Sequence, residues 1–464
     1  MNESGRRMHS NQELERREFL ALLAVPACAE FARRFALQSG QETTKADITL
    51  RISPIELEVG PRKVIKTTAY NGSAPGPILR LREGQPASVE VINDTKIPEI
   101  VHWHGLFVPS EVDGSEEEGT PIVPPGGTRR YSFVPRPAGT RWYHTHIHAG
   151  RDMNRSTYTG QFGFLYIEPK TDPGRYDAEV FLALHGWAPH LSSQGDEGNL
   201  EATYSVYSIN SHALGSGDPI RVKEGQKVLF RILNASATEQ HRVALPSHKF
   251  QIVSLDGNPV PVPHEVDVIE MGPAERVDAL VTMNNPGVWI FGEANNQTRT
   301  NGLGIIVEYA NRSEAPEWIA PPNIAWDYTI FGHTAETPEP AGGVVPLVFH
   351  KKFAGNRWVD NWTINGKSFP KTDPIRVRAN SRYRLRFDNQ SDEAHPVHLH
   401  RHTFELTNFA GKATAGVLKD VVVVPARKQV EVDFTADNPG LTLFHCHQQL
   451  HMDYGFMTMV MYET

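Results

Sequence analysis

Histidines in closely spaced pairs are the residues of this chain whose types and spacing indicate chemistry. Of the 21 histidines, ten fall in four short segments: His102-Trp103-His104, His144-Thr145-His146, His395-Pro396-Val397-His398-Leu399-His400, and His445-Cys446-His447 with His451. On a β-strand, residues i and i+2 point to the same face, so each His-x-His pair directs two imidazoles at one volume. Four such pairs supply eight neutral nitrogen ligands, which favour copper and are too many for one ion.

Cys446 predicts a second kind of metal site on the other face of its strand. It lies between His445 and His447, so its side chain leaves the strand on the opposite side. His395 and His451 complete a Cys-His-His set, and a thiolate with two imidazoles is the donor set of a blue-copper electron-transfer site. The alternation therefore predicts a one-electron site behind a multi-metal cluster, with the covalent bonds around Cys446 as the electron path.

A repeated unit indicates the elements that position these ligands. Asn71-Gly72, Asn210-Ser211 and Asn365-Gly366 each precede a short proline-containing motif and an alternating strand that ends in asparagine. Strands at short spacing, with turn signals and no long amphipathic helix, predict β-sandwiches. We therefore predict an all-β chain with sandwich domains at residues 46–170, 171–310 and 346–464 and a proline-rich linker at 311–345.

The middle copy of the repeat keeps the architecture and lacks the ligands. Ala244 and Pro246 stand at two histidine positions of the third copy, and Glu293 stands at its cysteine position. The first copy has both histidine pairs but no cysteine. These differences predict one blue site in the third domain and one cluster between the first and third domains. Two histidines of the middle domain have no such partners and are predicted to be structural: His241 and His248.

Composition excludes several other classes of protein. The 464 residues suffice for three domains at about 150 residues each, and 39% are hydrophobic and 22% charged, as in an ordinary globular protein. A net charge of -8 argues against a nucleic-acid partner. No apolar run reaches the ~18 residues that a membrane-spanning helix needs.

The first 45 residues are typical of an export signal. Arg16-Arg17-Glu18-Phe19-Leu20 leads into the apolar stretch from Ala21 to Ala29, which resembles a twin-arginine signal peptide. Ala27-Cys28-Ala29 has the form of a cleavage site. We expect export through the twin-arginine route to the periplasm or the exterior; the alternatives are a chance basic pair and a lipid anchor at Cys28. After cleavage, Cys446 is the one cysteine left, and no internal disulfide can form.

The four histidine motifs, HxH, HxH, HPxHxH and HCHxxxH, make the chain resemble a three-domain multicopper oxidase of the bacterial laccase group. The resemblance covers essentially everything after residue 46 and implies three tandem cupredoxin-like Greek-key β-sandwich domains. It implies four copper ions with these ligands: His102 and His398 for type 2; His104, His144, His146, His400, His445 and His447 for the type 3 pair; His395, Cys446 and His451 for type 1. Its implied activity is laccase-type: one-electron oxidation of diphenols and related aromatic donors, coupled to four-electron reduction of O2 to water.

Phe456 departs from the pattern of many bacterial relatives, which carry an axial methionine ten residues after the cysteine. An axial position without sulfur should raise the potential of the type 1 copper, which favours phenols and aromatic amines as donors. Met457 adjoins it but faces the other way in an alternating strand, so we predict that it is a core residue.

Reduction of dioxygen consumes protons, so a carboxylate is expected near the cluster. Relatives often have an acid directly after the last type 1 histidine, where this chain has Met452, with Asp453 one residue further on. Asp113 matches a family position credited with proton donation, and its alternative role is that of a turn residue before a glycine. His148 and His402 lie just outside the pairs and are given no role.

Three other functions are the alternatives. A cuprous or ferrous ion oxidase for metal tolerance shares the chemistry, but the nine methionines of the chain form no methionine-rich insert. A non-enzymatic scaffold is expected to have lost copper ligands, whereas the first and third domains have lost none. A copper nitrite reductase needs no type 3 pair, so it would leave the His-x-His pairs unexplained. The expected partners are therefore O2 and a small aromatic reductant or metal ion. A monomer suffices, because one chain carries both copper-bearing domains.

Overall fold

Short strands with alternating burial make up most of the described chain. The structure, a computed structural model, describes residues 45–170, 174–193, 200–335, 337–353 and 359–463. The predicted export signal, with its arginine pair and Cys28, lies outside the described residues. Within them, six sheets form three sandwiches, so the prediction of an all-β chain of tandem sandwiches is confirmed. Among the described residues, no helix has the length and apolar character needed to cross a bilayer.

The first sandwich joins two four-stranded sheets. Its strands are β1 (Ile48–Gly60), β2 (Lys63–Tyr70), β3 (Leu79–Arg82), β4 (Ala87–Asn93), β5 (Val101–His102), β6 (Thr128–Phe133), β7 (Gly139–Thr145) and β8 (Phe162–Glu168). The strand orders are β2-β1-β4-β6 and β3-β8-β7-β5. One helical turn, α1 (Ser110–Asp113), follows β5, and a 3-10 turn spans Ser156–Tyr158.

The second sandwich joins a six-stranded sheet to a five-stranded sheet. Its strands are β9 (Ala178–Ser193), β10 (Leu200–Ile209), β11 (Ile220–Val222), β12 (Lys227–Asn234), β13 (His241–Ala244), β14 (Phe250–Leu255), β15 (Asn258–Val266), β16 (Ile269–Met271), β17 (Arg276–Thr282), β18 (Val288–Glu293) and β19 (Gly304–Tyr309). The orders are β10-β9-β12-β17-β14-β15 and β11-β19-β18-β13-β16. Helix α2 (Asn296–Thr300) follows β18.

The third sandwich repeats this arrangement. Its strands are β20 (Val344–Lys352), β21 (Asn361–Ile364), β22 (Ile375–Arg378), β23 (Arg382–Asn389), β24 (His395–Leu399), β25 (Phe404–Phe409), β26 (Lys412–Lys419), β27 (Val421–Val424), β28 (Gln429–Thr435), β29 (Thr442–Cys446) and β30 (Met457–Glu463). The orders are β21-β20-β23-β28-β25-β26 and β22-β30-β29-β24-β27. Helix α3 (Gln449–Asp453) follows β29, and a 3-10 turn at Tyr328–Phe331 lies between the second and third sandwiches.

The repeated asparagines do the same work in each domain. Asn71, Asn210 and Asn365 adopt left-handed backbone angles, with φ of 51°, 50° and 51°. The Asn71 side chain accepts a hydrogen bond from the Arg51 amide at 2.6 Å and donates to the Thr49 carbonyl at 3.0 Å. The other two asparagines bind β9 and β20 in the same way. A short amide side chain that tolerates this conformation thus continues the hydrogen-bond ladder at the open end of the first hairpin of each sandwich.

A second set of asparagines ends the strands β4, β12 and β23. Asn389 donates to the carbonyl of Glu393 at 2.7 Å, and Asn234 donates to the carbonyl of Glu239 at 2.9 Å. Asn93 makes the corresponding bond to a carbonyl four residues on, at 2.8 Å. Each bond fixes the chain two residues before the position that corresponds to His395, so the loop that delivers the ligand strand is held from within.

Strand register shows which residues of the three domains are equivalent. In the third domain, Val397 lies opposite Cys446 on the neighbouring strand. In the middle domain Val243 lies opposite Glu293, and in the first domain Val101 lies opposite Thr145. The cysteine position is therefore occupied by glutamate and threonine in the other two copies.

Candidate metal centre

Histidines from the first and third sandwiches meet between these two domains. The ring of His102 stacks on that of His400 with centroids 4.1 Å apart, and the ring of His104 stacks on that of His398 at 3.8 Å. We call the whole set the histidine seam: His102, His104, His144, His146, His398, His400, His445 and His447. All eight residues are at most 5% exposed. The four His-x-His pairs thus converge on one buried volume.

Several rings of the histidine seam use one nitrogen for the protein and leave the other without a protein partner. His102 donates through Nδ1 to the Asp113 carbonyl at 2.9 Å, and His398 donates through Nδ1 to the Asp420 carbonyl at 2.7 Å. Their Nε2 atoms are buried and have no hydrogen-bond partner in the described part of the chain; the same holds for Nε2 of His144 and His447. Unpaired buried nitrogens are costly, but they suit metal ligation.

Other rings of the histidine seam place acceptor nitrogens close to one another. The Nδ1 atom of His400 donates to the Asp113 carboxylate at 2.8 Å, and that of His445 donates to the Cys446 carbonyl at 2.9 Å. Burial lowers the pKa of both rings, so they are neutral and their Nε2 atoms are acceptors. These two Nε2 atoms lie 3.0 Å apart, and Nε2 of His146 lies 3.4 Å from that of His445. Acceptors so close repel each other unless a cation lies between them, so the residues fit a metal ion.

The sulfur of Cys446 lies on the opposite side of its strand, among two imidazoles of the third domain. Sγ is 3.9 Å from Nδ1 of His395 and 3.6 Å from Nδ1 of His451, and the two nitrogens are 3.2 Å apart. Ser391 binds Nε2 of His395 at 2.8 Å, which leaves Nδ1 for the site. All three predicted residues are fully buried. A thiolate with two imidazoles in this arrangement suits a blue-copper centre.

Comparison with known proteins assigns the chain to a family. Sequence-family models described as multicopper oxidase match residues 53–172, 142–311 and 346–464. Multicopper oxidase MmcO of Mycobacterium tuberculosis is 30% identical over 481 residues, covering 95% of this chain and 90% of the relative. The chain belongs to the multicopper oxidase family.

Further relatives share its architecture. Laccase-5 of Trametes villosa is 26% identical and covers 86% of each chain. The crystal structure of a multi-copper oxidase from Pseudomonas thermotolerans superposes with a TM-score of 0.70 at 25% identity, over 90% of this chain and all of that one. The structure of Fet3p, at a TM-score of 0.75 and 18% identity over 90% of each chain, shows the fold alone. The predicted family and its cupredoxin-like domains are confirmed. This multicopper oxidase is a copper-dependent oxidoreductase that uses O2 and a reducing substrate.

Asp113 of the multicopper oxidase touches two rings of the histidine seam. Besides binding His400, its carboxylate lies 3.1 Å from Nδ1 of His102. Burial raises the pKa of Asp113 to about 7, and it raises that of the neighbouring Glu118 well above its usual range. The turn role is also present, since Gly114 follows with φ of 102° and a Cβ there would meet the Val101 carbonyl. Glu118 escaped the sequence analysis, because nothing in its local spacing marks it.

Carboxylates crowd the outer edge of His451. Its Nε2 atom lies 3.3 Å from a carboxylate oxygen of Glu393 and 3.8 Å from one of Glu201. The Lys351 ammonium binds Glu393 at 2.6 Å and lies 3.5 Å from Glu201 and 3.7 Å from Asp360. Glu393 could have been noticed two residues before His395, whereas Glu201 comes from the middle domain and has no sequence signal.

Phe456 packs against the blue-copper candidate. Its ring centroid is 4.9 Å from that of His395, and the residue is fully buried beside Trp362 and Phe349. Met457 belongs to a separate apolar cluster with Leu443, Met452 and Met459. The predicted contrast between Phe456 and Met457 is therefore present in the structure.

His148 and His402, which lie just outside the His-x-His pairs, are held by polar partners. His148 lies 2.8 Å from Asp453 through Nδ1 and 3.1 Å from Glu117 through Nε2. His402 lies 2.8 Å from the hydroxyl of Tyr462. Asp453, which follows Met452, thus binds His148, two backbone amides and the side-chain amide of Gln449.

The sites equivalent to the cysteine centre hold polar pairs in the other domains. In the middle domain Nδ1 of His241 lies 3.2 Å from Glu293, and Ser236 binds its Nε2 atom at 2.7 Å as Ser391 does in the third domain. In the first domain Thr145 donates to Glu99 at 3.1 Å. The prediction that His241 is structural agrees with these bonds, because both of its nitrogens are satisfied by protein.

Glu99→Gln should stabilise the copper-free protein above neutral pH. Burial raises the pKa of Glu99 to about 7, so between pH 4.5 and 7 the folded state holds a proton that the unfolded state has released. Stability therefore falls as pH rises through this window, by about 3 kcal/mol in total. The amide removes that loss and can still bond to Thr145 and Gln161, so thermal unfolding should show a higher midpoint at pH 8 and little change at pH 5.

Glu90→Gln is the matched control for this substitution. It neutralises a partly exposed carboxylate on strand β4, bound to Arg130 at 3.1 Å, where a change of about 0.5 kcal/mol or less is expected at either pH. Equal effects of Glu99→Gln at pH 5 and pH 8 would show that ionisation of this carboxyl group does not limit stability.

Proposed function

We propose that this multicopper oxidase is laccase-like and oxidises phenolic and related aromatic donors at a type 1 copper. The observation that carries the proposal is the position of Cys446. Its sulfur lies between His395 and His451, while its chain neighbours His445 and His447 belong to the histidine seam. A donor site and a dioxygen site are thus joined by the covalent bonds of one strand.

The donor sets divide into those of four copper ions. We assign type 2 to His102 and His398, type 1 to His395, Cys446 and His451, and the type 3 pair to the other six rings of the histidine seam. Bound copper supplies one-electron transfer and the reduction of O2. The protein residues hold the rings in the required tautomers, exclude water through burial, and keep a proton at the Asp113–Glu118 pair next to the seam.

Phe456 supports an aromatic donor. A phenyl ring against His395 provides no sulfur ligand, and a type 1 copper without an axial sulfur has a raised potential. A stronger oxidant is what phenols and aromatic amines need. Glu393, beside Nε2 of His451, provides an acceptor for the proton that a phenol releases as it loses an electron.

The same carboxylates favour a second candidate, a metallo-oxidase of Cu(I) or Fe(II). Three acidic residues, Glu201, Glu393 and Asp360, surround one lysine near His451, so the group carries a net negative charge. Such a group attracts a cationic donor. Two of the structures that share the fold are described as a metallo-oxidase and as an oxidase that functions in iron import.

Export and domain organisation belong to the same proposal. Residues 1–45 would direct the folded protein through the twin-arginine route to the periplasm or the exterior. Residues 46–170 and 346–464 would carry the copper ligands, residues 171–310 would form the domain without ligands, and 311–345 would connect it to the third domain. A monomer suffices for all four ions.

Glu393→Gln separates the two donor classes. With copper content first measured, turnover of a phenol, Cu(I) and Fe(II) is compared side by side in the natural protein and the variant. A laccase-like enzyme prefers the phenol, and loss of the proton acceptor should lower kcat for it by about 10- to 100-fold, the size of one charge-assisted hydrogen bond. Preference for a metal ion, with a raised KM for that ion in the variant, would establish the metallo-oxidase instead.

Asp392→Asn is the matched control for this test. It removes the same charge from the adjacent residue, which is exposed and bound to Arg427. Its donor kinetics should equal those of the natural protein. A chain that binds no copper at all would overturn both candidates.

A further inference from the structure

A buried charge network lies where the three domains meet. Its members come from all three sandwiches and are at most 1% exposed: Arg141, Asp256, Glu275, Arg276, Lys419 and Asp420. We call them the seam network. The set contains three basic and three acidic side chains. The histidine seam uses ligands from two domains, whereas this network also involves the middle domain, which supplies none.

Asp420 connects the network to the histidine seam. Its carboxylate accepts a hydrogen bond from Nε2 of His104 at 3.2 Å, and its backbone carbonyl accepts one from Nδ1 of His398 at 2.7 Å. Nε2 of His104 therefore carries the hydrogen, and its Nδ1, which has no partner among the described residues, is left as the ligand atom. One residue thus sets the tautomer of a ring from the first domain and of a ring from the third.

Arg276 of the middle domain holds Asp420 in place. Its guanidinium donates to both carboxylate oxygens, at 2.7 and 2.6 Å. The remaining donors reach the carbonyls of Ala274 and Asp256 at 3.0 Å and of Thr140 at 3.3 Å, so the guanidinium group cannot rotate without losing hydrogen bonds. A bidentate ion pair fixes both the position and the plane of a carboxylate, which an ammonium group cannot do.

Neither of the other two basic residues of the seam network can take the place of Arg276. The ammonium of Lys419 is bound to Asp256 and Glu275, each at 2.9 Å. Arg141 reaches Asp420 through one nitrogen only, at 3.4 Å. The chain after His104 also makes room: at Gly105, with φ of 84°, a Cβ would lie 2.7 Å from the carboxylate of Asp420 and 2.9 Å from the guanidinium of Arg276.

We propose that Arg276 is a positioning residue of the cluster of type 2 and type 3 copper ions assigned to the histidine seam. By holding Asp420 it fixes the orientation and tautomer of His104, so the domain without ligands determines how tightly the cluster retains copper. The proposal rests on the assignment of the histidine seam to copper. Groups that orient ligand histidines typically contribute 10- to 100-fold in metal affinity.

Arg276→Met and Arg276→Lys test the proposal in the full-length protein. After copper loading and dialysis against a graded chelator, copper per chain, the electron paramagnetic resonance spectrum of the cluster and the blue absorption are measured. Arg276→Met should lose cluster copper at ~10- to 100-fold lower chelator concentration and alter the cluster spectrum, while the blue absorption stays. Arg276→Lys keeps the positive charge but cannot form the bidentate pair, so its copper retention should be intermediate.

Arg231→Met is the matched control. Arg231 is also a buried arginine of the middle domain, paired with Asp278 and Glu179 and packed on Tyr166 of the first domain. Its removal should lower stability and leave copper retention and spectra unchanged. Equal loss of cluster copper in Arg231→Met and Arg276→Met would overturn the proposal, because both effects would then reflect general loosening.

Asp420→Asn decides the matter if Arg276→Met does not fold. The amide keeps the size of the side chain and the backbone carbonyl that binds His398, but it weakens the bond to His104. A cluster spectrum and copper retention equal to those of the natural protein in Asp420→Asn, or in folded Arg276→Met, would overturn the proposal. A natural protein without copper would instead overturn the proposed function.

Discussion

Replacing Cys446 with serine should abolish the blue absorption and reduce donor oxidation to the background rate. The thiolate is one of three side chains at the proposed type 1 site, and its sulfur is responsible for the strong colour of such centres. A serine hydroxyl is not deprotonated at neutral pH and does not replace a soft ligand. Absorption spectra and turnover of a phenol, recorded at equal copper content, measure the effect.

Two comparisons make this result specific. The histidine seam is intact in Cys446→Ser, so its copper and its magnetic resonance spectrum should persist. Glu293→Gln changes the equivalent position of the middle domain, keeps the size of the side chain, and should leave colour and turnover unchanged. Blue absorption that survives in Cys446→Ser would show that the sulfur is not a ligand.

Asp113→Asn should slow the reduction of O2 much more than the oxidation of the donor. The amide has nearly the same shape but cannot release a proton, and general acid catalysis contributes about 10²–10⁴-fold. The variant keeps the backbone carbonyl that binds His102, so copper content should be preserved. Rapid mixing of reduced enzyme with O2 measures one half of the cycle, and anaerobic reduction by a phenol measures the other.

The pattern of rates distinguishes the roles of Asp113. Slowing confined to the dioxygen half supports proton donation. Equal slowing of both halves, with loss of copper, would mean that the carboxylate serves to hold His400. Unchanged turnover would remove it from the mechanism.

Much of the fold could be predicted because its signals are local. Asn71 and its two counterparts bind backbone amides that are 20, 27 and 17 residues away in the sequence, so the motif can be recognised in each copy. The ligand pairs could be predicted equally well, because residues i and i+2 of a strand share a face regardless of tertiary packing. Cys446 between two histidines is the clearest case, because these three residues alone predict two sites on opposite faces of one strand.

The parts that escaped prediction act over long sequence separations. Asp420 binds His104 from 316 residues away and Arg276 from 144 residues away. Such contacts depend on how the three sandwiches pack against one another, and the periodicity of a single strand carries no information about that packing. Glu201 beside His451 is a similar case, because a residue of the middle domain borders a site built by the third.

The depth of the histidine seam has a kinetic consequence. Eight rings that are at most 5% exposed, supplied by the first and third domains, shield a bound ion from most contact with bulk solvent. We therefore expect the ion to exchange slowly, at a rate set by separation of the first and third domains or by rearrangement of their loops, and we expect chelators to act at that rate. A metal ion bound there would hold the first and third domains together. The described part of the chain contains one cysteine, so no disulfide within it can do the same.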